Sequence, residues 1–220
     1  MNVQLIDKMG SDLSVVNAAR VSFAKQSQYE FIDFGVEALN EKDQKLIAYL
    51  AKHNHWSPFA HTCLSFRIKA PIFVARQMTK HQVGGAWNEV SRRYVDDEPE
   101  FYFPDVWRGK PDNAKQGSSG ELTDQQQWSI DMQETVYPVL QIYYSAIDDG
   151  MAPEQARMIL PQNTMTEWIW TGSLQFFARV CNLRIDAHAQ KECQDLASLI
   201  EKSIPTCFEH SWAALRNIEK

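Results

Sequence analysis

Residues 64–81 read LSFRIKAPIFVARQMTKH, and the hydrophobic period changes within this stretch. From residue 64 to residue 69 apolar and polar side chains alternate, which is the pattern of a strand with one buried face. Pro71 is expected to end this strand, because proline cannot donate to a strand ladder. Residues 73–81 then predict a short helix, so a strand should lead almost directly into a helix here.

Further elements are predicted on both sides of this stretch. Apolar residues at helical spacing behind an acidic first turn predict an amphipathic helix from Glu41 to His53. Gly84 and Gly85 should end the helix at 73–81 and let the backbone turn sharply. Residues 164–171, rich in β-branched and aromatic side chains, predict a second strand. Three more helices are predicted, at 174–183, 188–200 and 205–215.

One long helix is predicted in the C-terminal half. Its apolar stripe consists of Trp128, Met132, Val136, Leu140 and Ile147. Thr123 and Gln126 have the spacing of a capping box at its start, and it should end near Gly150. Pro138 is expected to kink it. The preceding residues, 107–124, have no apolar period and predict a surface loop.

The predicted helices surround a few strands and do not alternate regularly with them. This order predicts an α+β fold with a small, mostly antiparallel sheet surrounded by helices. The chain has 220 residues, 44% of them hydrophobic, so it can bury a sizeable core as a single domain over residues 1–220. Neither a GxGxxG nor a GxxxxGK[ST] motif occurs, so a Rossmann or P-loop phosphate site is not supported.

Composition and charge narrow the class of function. A net charge of −6 argues against a nucleic-acid polymer as partner, since such binding needs a broad basic surface. No segment is apolar enough to span a bilayer, and the N-terminal residues do not have the pattern of a signal peptide. The four cysteines form no CxxC pair and are expected to be buried, reduced thiols of a cytoplasmic protein.

The first cluster of polar residues lies at 75–94, where a core helix should be apolar. It contains the donors Arg76, Lys80, Arg92 and Arg93, together with three amides that both donate and accept. This mixture suits a phosphate and a planar heterocycle. The alternative is a solvated basic helix face followed by a polar hairpin.

The second cluster joins residues 156–161 and 182–190. It places Arg157, Arg184 and His188 among apolar residues. If both arginines are buried, the cost of desolvating them requires an anion or a carboxylate in return. The alternative is that Asp186 pairs with Arg184 and removes the need for a ligand.

The histidines could suggest a metal site, and Ser91 could suggest a nucleophile. His53, His55 and His61, with His81 further along, would suit a metal, but no HExxH motif or suitably spaced cysteine accompanies them. Cofactor contacts or capping are the favoured roles. Ser91 could be a nucleophile, but no nearby His–Asp pair would activate it, so a hydrogen-bonding role is favoured.

Several motifs, in order, resemble the flavin-dependent thymidylate synthases, which are distinct from the thymidylate synthases with a cysteine nucleophile. They are AARVSF at 18–23, KHNHWSPF at 52–59, KAPIFVARQ at 69–77, NLR at 182–184 and HAQ at 188–190. The family signature is Arg-His-Arg, seven residues, then Ser. This chain has Lys80-His81-Gln82, eight residues, then Ser91. Lys80 keeps the charge without the bidentate fork, and Gln82 loses the charge.

The resemblance implies an enzyme that converts dUMP to dTMP without a nucleophile of its own. Methylenetetrahydrofolate would supply the carbon, and FAD reduced at the expense of NADPH would supply the hydride. The catalytic residues would be Arg184, which polarises the uracil, and Ser91. The dUMP contacts implied are Gln77, Glu89, Ser91, Arg93, Arg157 and Arg184. The FAD contacts implied are Ser22, His55, Ser57, Lys80, His81, Gln82, Val83, Ser173, Arg179, Leu183 and His188.

The resemblance also implies a homotetramer whose active sites lie where subunits meet. Residues distant within one chain would then come together only between chains. Two other functions stay open at the level of the sequence. The altered signature allows a flavin- or nucleotide-binding homologue without synthase activity, and the histidines allow a metal-dependent hydrolase.

Overall fold

The computed structural model describes residues 1–33, 36–112 and 117–216. Its strands are β1 (Asn2–Met9), β2 (Glu30–Asp33), β3 (Val36–Ala38), β4 (Cys63–Pro71), β5 (Gly85–Glu89) and β6 (Met165–Gly172). Its α-helices are α1 (Asp12–Arg20), α2 (Glu41–Lys52), α3 (Ser57–Ala60), α4 (Ile72–Met78), α5 (Gln125–Asp148), α6 (Pro153–Ala156), α7 (Leu174–Arg184), α8 (Lys191–Lys202) and α9 (Glu209–Leu215). Single 3-10 turns cover Val21–Phe23, Arg157–Ile159 and Thr206–Phe208.

The main sheet has four strands in the order β1-β4-β6-β5, and every neighbouring pair is antiparallel. Strands β2 and β3 form a separate hairpin. The predicted α+β architecture with a small antiparallel sheet is therefore confirmed. Strands β4 and β6 lie in the middle, and their alternating residues face a core that helices α4, α7 and α8 cover. A second apolar cluster joins α1, α2 and α3.

Two glycines determine how α7 begins against the sheet. Gly85 of β5 and Gly172 of β6 face each other in the strand register. A Cβ at Gly85 would lie 2.5 Å from the ring of Phe176, and a Cβ at Gly172 would lie 2.4 Å from it. The phenyl ring thus occupies the space that two side chains would fill. This contact holds the first turn of α7 beside the turn that connects α4 to β5.

Most predicted elements are confirmed with small shifts at their ends. Helix α8 begins at Lys191 rather than at His188, because the preceding residues form a turn in which the Ala189 amide donates to the Asp186 carbonyl (2.9 Å). Gly84 has a φ of +87° and ends the stretch after α4, as expected. Strand β1, helix α1 and the paired strands β2 and β3 were not predicted, because β1 and α1 have a weak apolar period and β2 and β3 are short.

The long predicted helix is confirmed as α5, which runs through Pro138 and ends before Gly150, where φ is +83°. The predicted capping box is wrong. The N-cap is Asp124, and no side chain caps the helix. Gln125 instead binds the preceding loop, since its side-chain amide accepts from the Trp107 amide (2.7 Å) and donates to the Trp107 carbonyl (2.7 Å).

The apolar stripe of α5 does not face the core of this chain. Trp128 is 48% exposed and Met132 is 42% exposed. Of the residues in this helix, only Tyr143 is buried. The stripe is therefore a real apolar face, and its N-terminal half is covered only in part, by contacts such as that of the Trp107 ring with Ser129.

All four cysteines are free thiols. Cys181 and Cys193 are buried as predicted, whereas Cys63 and Cys207 are only partly buried. Burial raises the pKa of Cys181 to about 12 and that of Cys193 to about 11, so both thiols stay protonated at neutral pH. No helix within the described ranges is long and apolar enough to cross a membrane.

Candidate functional site

The guanidinium of Arg184 connects the ends of two helices. Arg184 is the last residue of α7, and its Nε donates to Nε2 of His81 (2.9 Å). Its Nη2 donates to the backbone carbonyl of Gln77 in α4 (2.9 Å). Both acceptors are neutral, and no carboxylate in the described part of the chain forms an ion pair with Arg184. The charge of this half-buried guanidinium is thus free to meet an anionic ligand.

The alternative pairing of Arg184 with Asp186 is wrong. Asp186 instead accepts from the backbone amide of His188 (2.8 Å) and lies 3.0 Å from Nδ1 of the same histidine. These contacts lower the pKa of the Asp186 carboxyl. Asp186 therefore caps the turn after α7 and leaves Arg184 to the cavity.

His81 is held as a neutral acceptor. Burial, reinforced by the positive charges of Arg184 and Arg179, lowers its pKa to about 4. At neutral pH its Nε2 carries no proton and can accept from Arg184, so the ring proton lies on Nδ1. The middle residue of the altered signature thereby orients the arginine.

A cavity of about 490 Å³, here called the Arg184 cavity, opens beside this arginine. It is lined by Gln77, Arg108, Gly117, Ser118, Arg184, His188, Ala189, Gln190 and Lys191. Three of the predicted ligand contacts, Gln77, Arg184 and His188, thus meet in one place. Arg108 was not predicted, because it lies in a loop without an apolar period and meets its partner Glu192 of α8 only once the chain is folded. Its positive charge within that polar loop was the only available signal.

A second cavity of about 370 Å³, here called the Arg157 cavity, contains Glu89 and Arg157. The carboxylate of Glu89 accepts from Nε1 of Trp87 (3.1 Å) and from Oγ1 of Thr166 (2.7 Å). Arg157 is exposed, so the condition that both arginines are buried is not met. Its Nε donates to the Glu154 carbonyl in α6 (3.3 Å).

Ser91 and Arg93 follow Glu89 closely in the chain. The Ser91 hydroxyl accepts from both the backbone amide (3.3 Å) and Nε (3.2 Å) of Arg93. No histidine of the described ranges hydrogen-bonds to Ser91, which agrees with a hydrogen-bonding role rather than a nucleophilic one. The Arg184 and Arg157 cavities share no lining residue, and Ser91 and Arg93 line neither, so the six predicted dUMP contacts do not line a single one of these two cavities.

One group of predicted flavin contacts lies between α4 and β5 and on α7. Nη2 of Arg179 donates to the Val83 carbonyl (2.5 Å), which ties residues 80–83 to α7. Leu183 follows one turn after Arg179 on the same helix face. Val83 and Leu183 are exposed apolar side chains, at 77% and 64%, among polar neighbours. Ser173 lies at the other end of α7, where it caps the helix by accepting from the Phe176 amide (3.2 Å).

A second group comprises Ser22, His55 and Ser57, all of them exposed. They lie in the 3-10 turn after α1 and at the connection from α2 to α3. The exposed side chains of Phe23 (76%) and Trp56 (62%) flank them. Helix α3 packs against both α1 and α7. It therefore connects this group with the helix that carries Arg179 and Leu183.

The histidines do not converge on a metal. The rings of His53 and His55 lie 6.4 Å apart, and the ring of Tyr49 lies 4.3 Å from that of His53. No group of three or more His, Cys, Asp or Glu side chains in the described ranges is placed to hold a metal ion.

The chain is similar to known proteins both in sequence and in fold. Residues 4–207 match the family described as "Thymidylate synthase complementing protein". The flavin-dependent thymidylate synthase of Thermosipho africanus is 37% identical over 214 residues, covering 94% of this chain and 89% of that protein. The enzyme of that name from a strain of Thermus thermophilus is 36% identical, covering 96% and 74%. The crystal structure of the UMP/dUMP methylase PolB from Streptomyces cacaoi, bound with 5-Br dUMP, superposes with a TM-score of 0.83 at 30% identity, covering 98% and 94%.

Proposed function

This chain belongs to the flavin-dependent thymidylate synthases, and on that premise we propose that it converts dUMP to dTMP. The carbon donor is 5,10-methylenetetrahydrofolate, and NADPH regenerates the reduced flavin. The family match over residues 4–207 and the likeness to a solved UMP/dUMP methylase support flavin-dependent methylation of dUMP. The enzyme acts in the cytoplasm.

The unpaired charge of Arg184 is the observation that carries this function. Its guanidinium is half-buried, is held by two neutral acceptors, and faces a cavity large enough for a ligand. Negative charge develops on the uracil ring as its C6 accepts a hydride. A fixed guanidinium beside the pyrimidine stabilises that charge without reorganising during the reaction. Because this electrostatic role needs no nucleophile, the protonated state of Cys181 and Cys193 agrees with it.

The dUMP contacts we propose are Gln77, Glu89, Ser91, Arg93, Arg157 and Arg184. Arginines at the Arg157 cavity and at Ser91 suit the phosphate, since their forked donors match its oxygens. Arg184 and His81 lie together, so His81 fixes the arginine while the arginine meets the base. Ser91 orients Arg93 and the nucleotide by hydrogen bonds.

The residues proposed to hold FAD combine donors with exposed apolar surface. Lys80, His81, Gln82 and Val83 lie on one polar segment, and Arg179 of α7 donates to its Val83 carbonyl. Leu183 lies one turn further along α7, and His188 lines the Arg184 cavity. Ser22, His55 and Ser57 lie near Phe23 and Trp56, and Ser173 lies at the start of α7. A large flavin nucleotide has both planar apolar rings and anionic phosphates, so this mixture fits it. Bound FAD would supply the hydride, and the protein supplies orientation and charge.

We propose a homotetramer with its active sites where subunits meet. Two features of one chain support this. Of the six dUMP contacts, Gln77 and Arg184 line the Arg184 cavity while Glu89 and Arg157 line the Arg157 cavity. The apolar stripe of α5 also has exposed Trp128 and Met132. An exposed apolar stripe of this kind is typical of a surface that another subunit covers.

The test is a visible absorption spectrum of the purified protein, followed by FAD titration with and without dUMP. Flavin bands, or saturable FAD binding that dUMP strengthens, are expected. Formation of dTMP from dUMP, methylenetetrahydrofolate, NADPH and FAD then completes the assignment. Binding of FAD and dUMP without any dTMP would instead identify a homologue without synthase activity, in keeping with the altered signature at Lys80 and Gln82.

A further inference from the structure

We infer that Glu192 is a positioning residue for the nucleotide site. It orients the amide of Gln77 through Gln190, and it holds Arg108 at the wall of the Arg184 cavity. Because Gln77 is a proposed dUMP contact, this role rests on the proposed function. The motifs quoted above for the family resemblance include neither Glu192 nor Arg108.

A continuous line of side-chain hydrogen bonds connects these residues. Glu192, the second residue of α8, is only 4% exposed. Its Oε1 accepts from Nη2 of Arg108, and its Oε2 accepts from Nε2 of Gln190 (2.9 Å). Oε1 of Gln190 in turn accepts from Nε2 of Gln77. A buried carboxylate on α8 is thus connected to α4 through two amides.

The charge of Glu192 determines the direction of every bond in this line. An ionised carboxylate only accepts, so Gln190 must turn its NH₂ group toward it. The carbonyl oxygen of Gln190 then faces Gln77, whose side-chain NH₂ group must donate to it. Gln77 is left with its own carbonyl oxygen and one N–H for a ligand. The amide of Gln77 therefore has one orientation, and its donor and acceptor cannot exchange places.

The carboxylate is ionised despite its burial. Burial raises the pKa of Glu192, but hydrogen bonds from Arg108, from its own backbone amide and from Gln190 outweigh burial, and the pKa is lowered. The same pairing anchors the loop. Nε of Arg108 donates to Oγ of Ser118 (2.9 Å), and both residues line the Arg184 cavity. Glu192 thereby holds the loop against α8, where Arg108 and Ser118 of the loop form one wall of the Arg184 cavity.

Glu192→Gln tests this role, because it keeps the shape and removes the charge. A glutamine at 192 can donate as well as accept, so the amides of Gln190 and Gln77 can reverse. The KM for dUMP is expected to rise about tenfold, the effect of losing one charge-assisted hydrogen bond. The kcat should change less than the KM, and FAD affinity without dUMP should stay as in the wild type.

Glu201→Gln is the matched control. Glu201 lies on the same helix and also pairs with an arginine, since it accepts from Nε of Arg216 (2.7 Å). It does not line the Arg184 cavity. This variant should keep the wild-type KM for dUMP, so a general weakening of α8 would be visible as a change common to both variants.

Gln190→Leu supplies a second test that leaves the Arg108–Glu192 pair in place. It cuts the line between Glu192 and Gln77, and it should raise the KM for dUMP to a similar extent. In the double variant with Glu192→Gln the two effects should not add, because both act on the same amide. A wild-type KM in Gln190→Leu, or in a folded Glu192→Gln protein that only melts at a lower temperature, would overturn the role of Glu192. Failure of the wild-type protein to bind dUMP would instead overturn the proposed function.

Discussion

Arg184 is the residue on which the proposed chemistry depends most. Replacing it with alanine removes the fixed guanidinium beside the pyrimidine. The rate of dTMP formation should fall by about 10²–10³, which is the usual cost of removing one preorganised donor to a developing charge. FAD should still bind, because the flavin contacts are other residues. Steady-state turnover and a flavin titration of the same preparation measure both effects.

Arg216→Ala is a suitable control for this prediction. Arg216 pairs with Glu201 and does not line either cavity. It should retain turnover close to that of the wild type, although its stability can fall. Near-normal turnover in Arg184→Ala would show that Arg184 has no part in stabilising the charge on the uracil.

The lowered pKa of His81 predicts how the free energy of unfolding depends on pH. Its pKa is about 4 in the folded chain and about 6.5 when free. Between these values the unfolded state binds more protons, so the free energy of unfolding should rise with pH. The contribution of His81 should be fully present above about pH 6.5 and be lost as the pH falls toward 4. Urea unfolding of the wild type at several pH values measures this slope.

His81→Gln separates this histidine from other titrating groups. Glutamine can accept from Arg184 through its carbonyl oxygen but does not titrate. The variant should have a smaller slope than the wild type between pH 4 and pH 6.5. An unchanged slope would mean that His81 is accessible to protons in the folded state and does not accept from Arg184.

Single residues of the site could be named from the sequence, but their partners could not. The resemblance named Gln77 and Arg184 as dUMP contacts and His81 as an FAD contact, and in the structure Arg184 hydrogen-bonds to both of the others. A pairing of Arg184 with Asp186 was suggested because the two residues are close in sequence. It was wrong because the turn after α7 directs Asp186 to His188. Arg108 and Glu192 lie far apart in the chain, so no local pattern could indicate their ion pair.

At the scale of elements, the contact between α7 and the sheet predicts a steep cost at Gly172. Gly172→Ala places a Cβ 2.4 Å from the ring of Phe176, so the ring or the strand must move. Overpacking of this kind costs about 1–3 kcal/mol. Chemical denaturation should show this loss. Gly120→Ala is the control, since a Cβ there has no atom within 4 Å, and it should leave stability within about 0.5 kcal/mol of the wild type.

Periodicity predicted an element well where residues of the same chain bury its apolar face. Strand β4 and helix α2 are examples, because their apolar faces are buried by neighbours in the same core. Helix α5 shows the limit. Its stripe was read correctly as apolar, but period alone does not say whether the same chain or another covers it. The capping box failed because Gln125 binds Trp107 and leaves the helix start to Asp124.

In the assembled protein, the separation of two pairs of proposed dUMP contacts into different cavities has a geometric consequence. Gln77 and Arg184 line one cavity, while Glu89 and Arg157 line the other. In a closed oligomer, a surface of one subunit can face a different surface of its neighbour. One complete site would then take Arg184 from one subunit and Arg157 from another.

Mixing two inactive variants tests this arrangement. Arg184→Ala and Arg157→Ala should each have little turnover, because every site lacks one arginine. After the two are unfolded together and refolded, some sites should combine the intact Arg184 of one subunit with the intact Arg157 of another. Random assembly would give about a quarter of the wild-type turnover. If both arginines of a site come from one chain, no mixed oligomer can contain an intact site, and turnover would stay at the level of the separate variants.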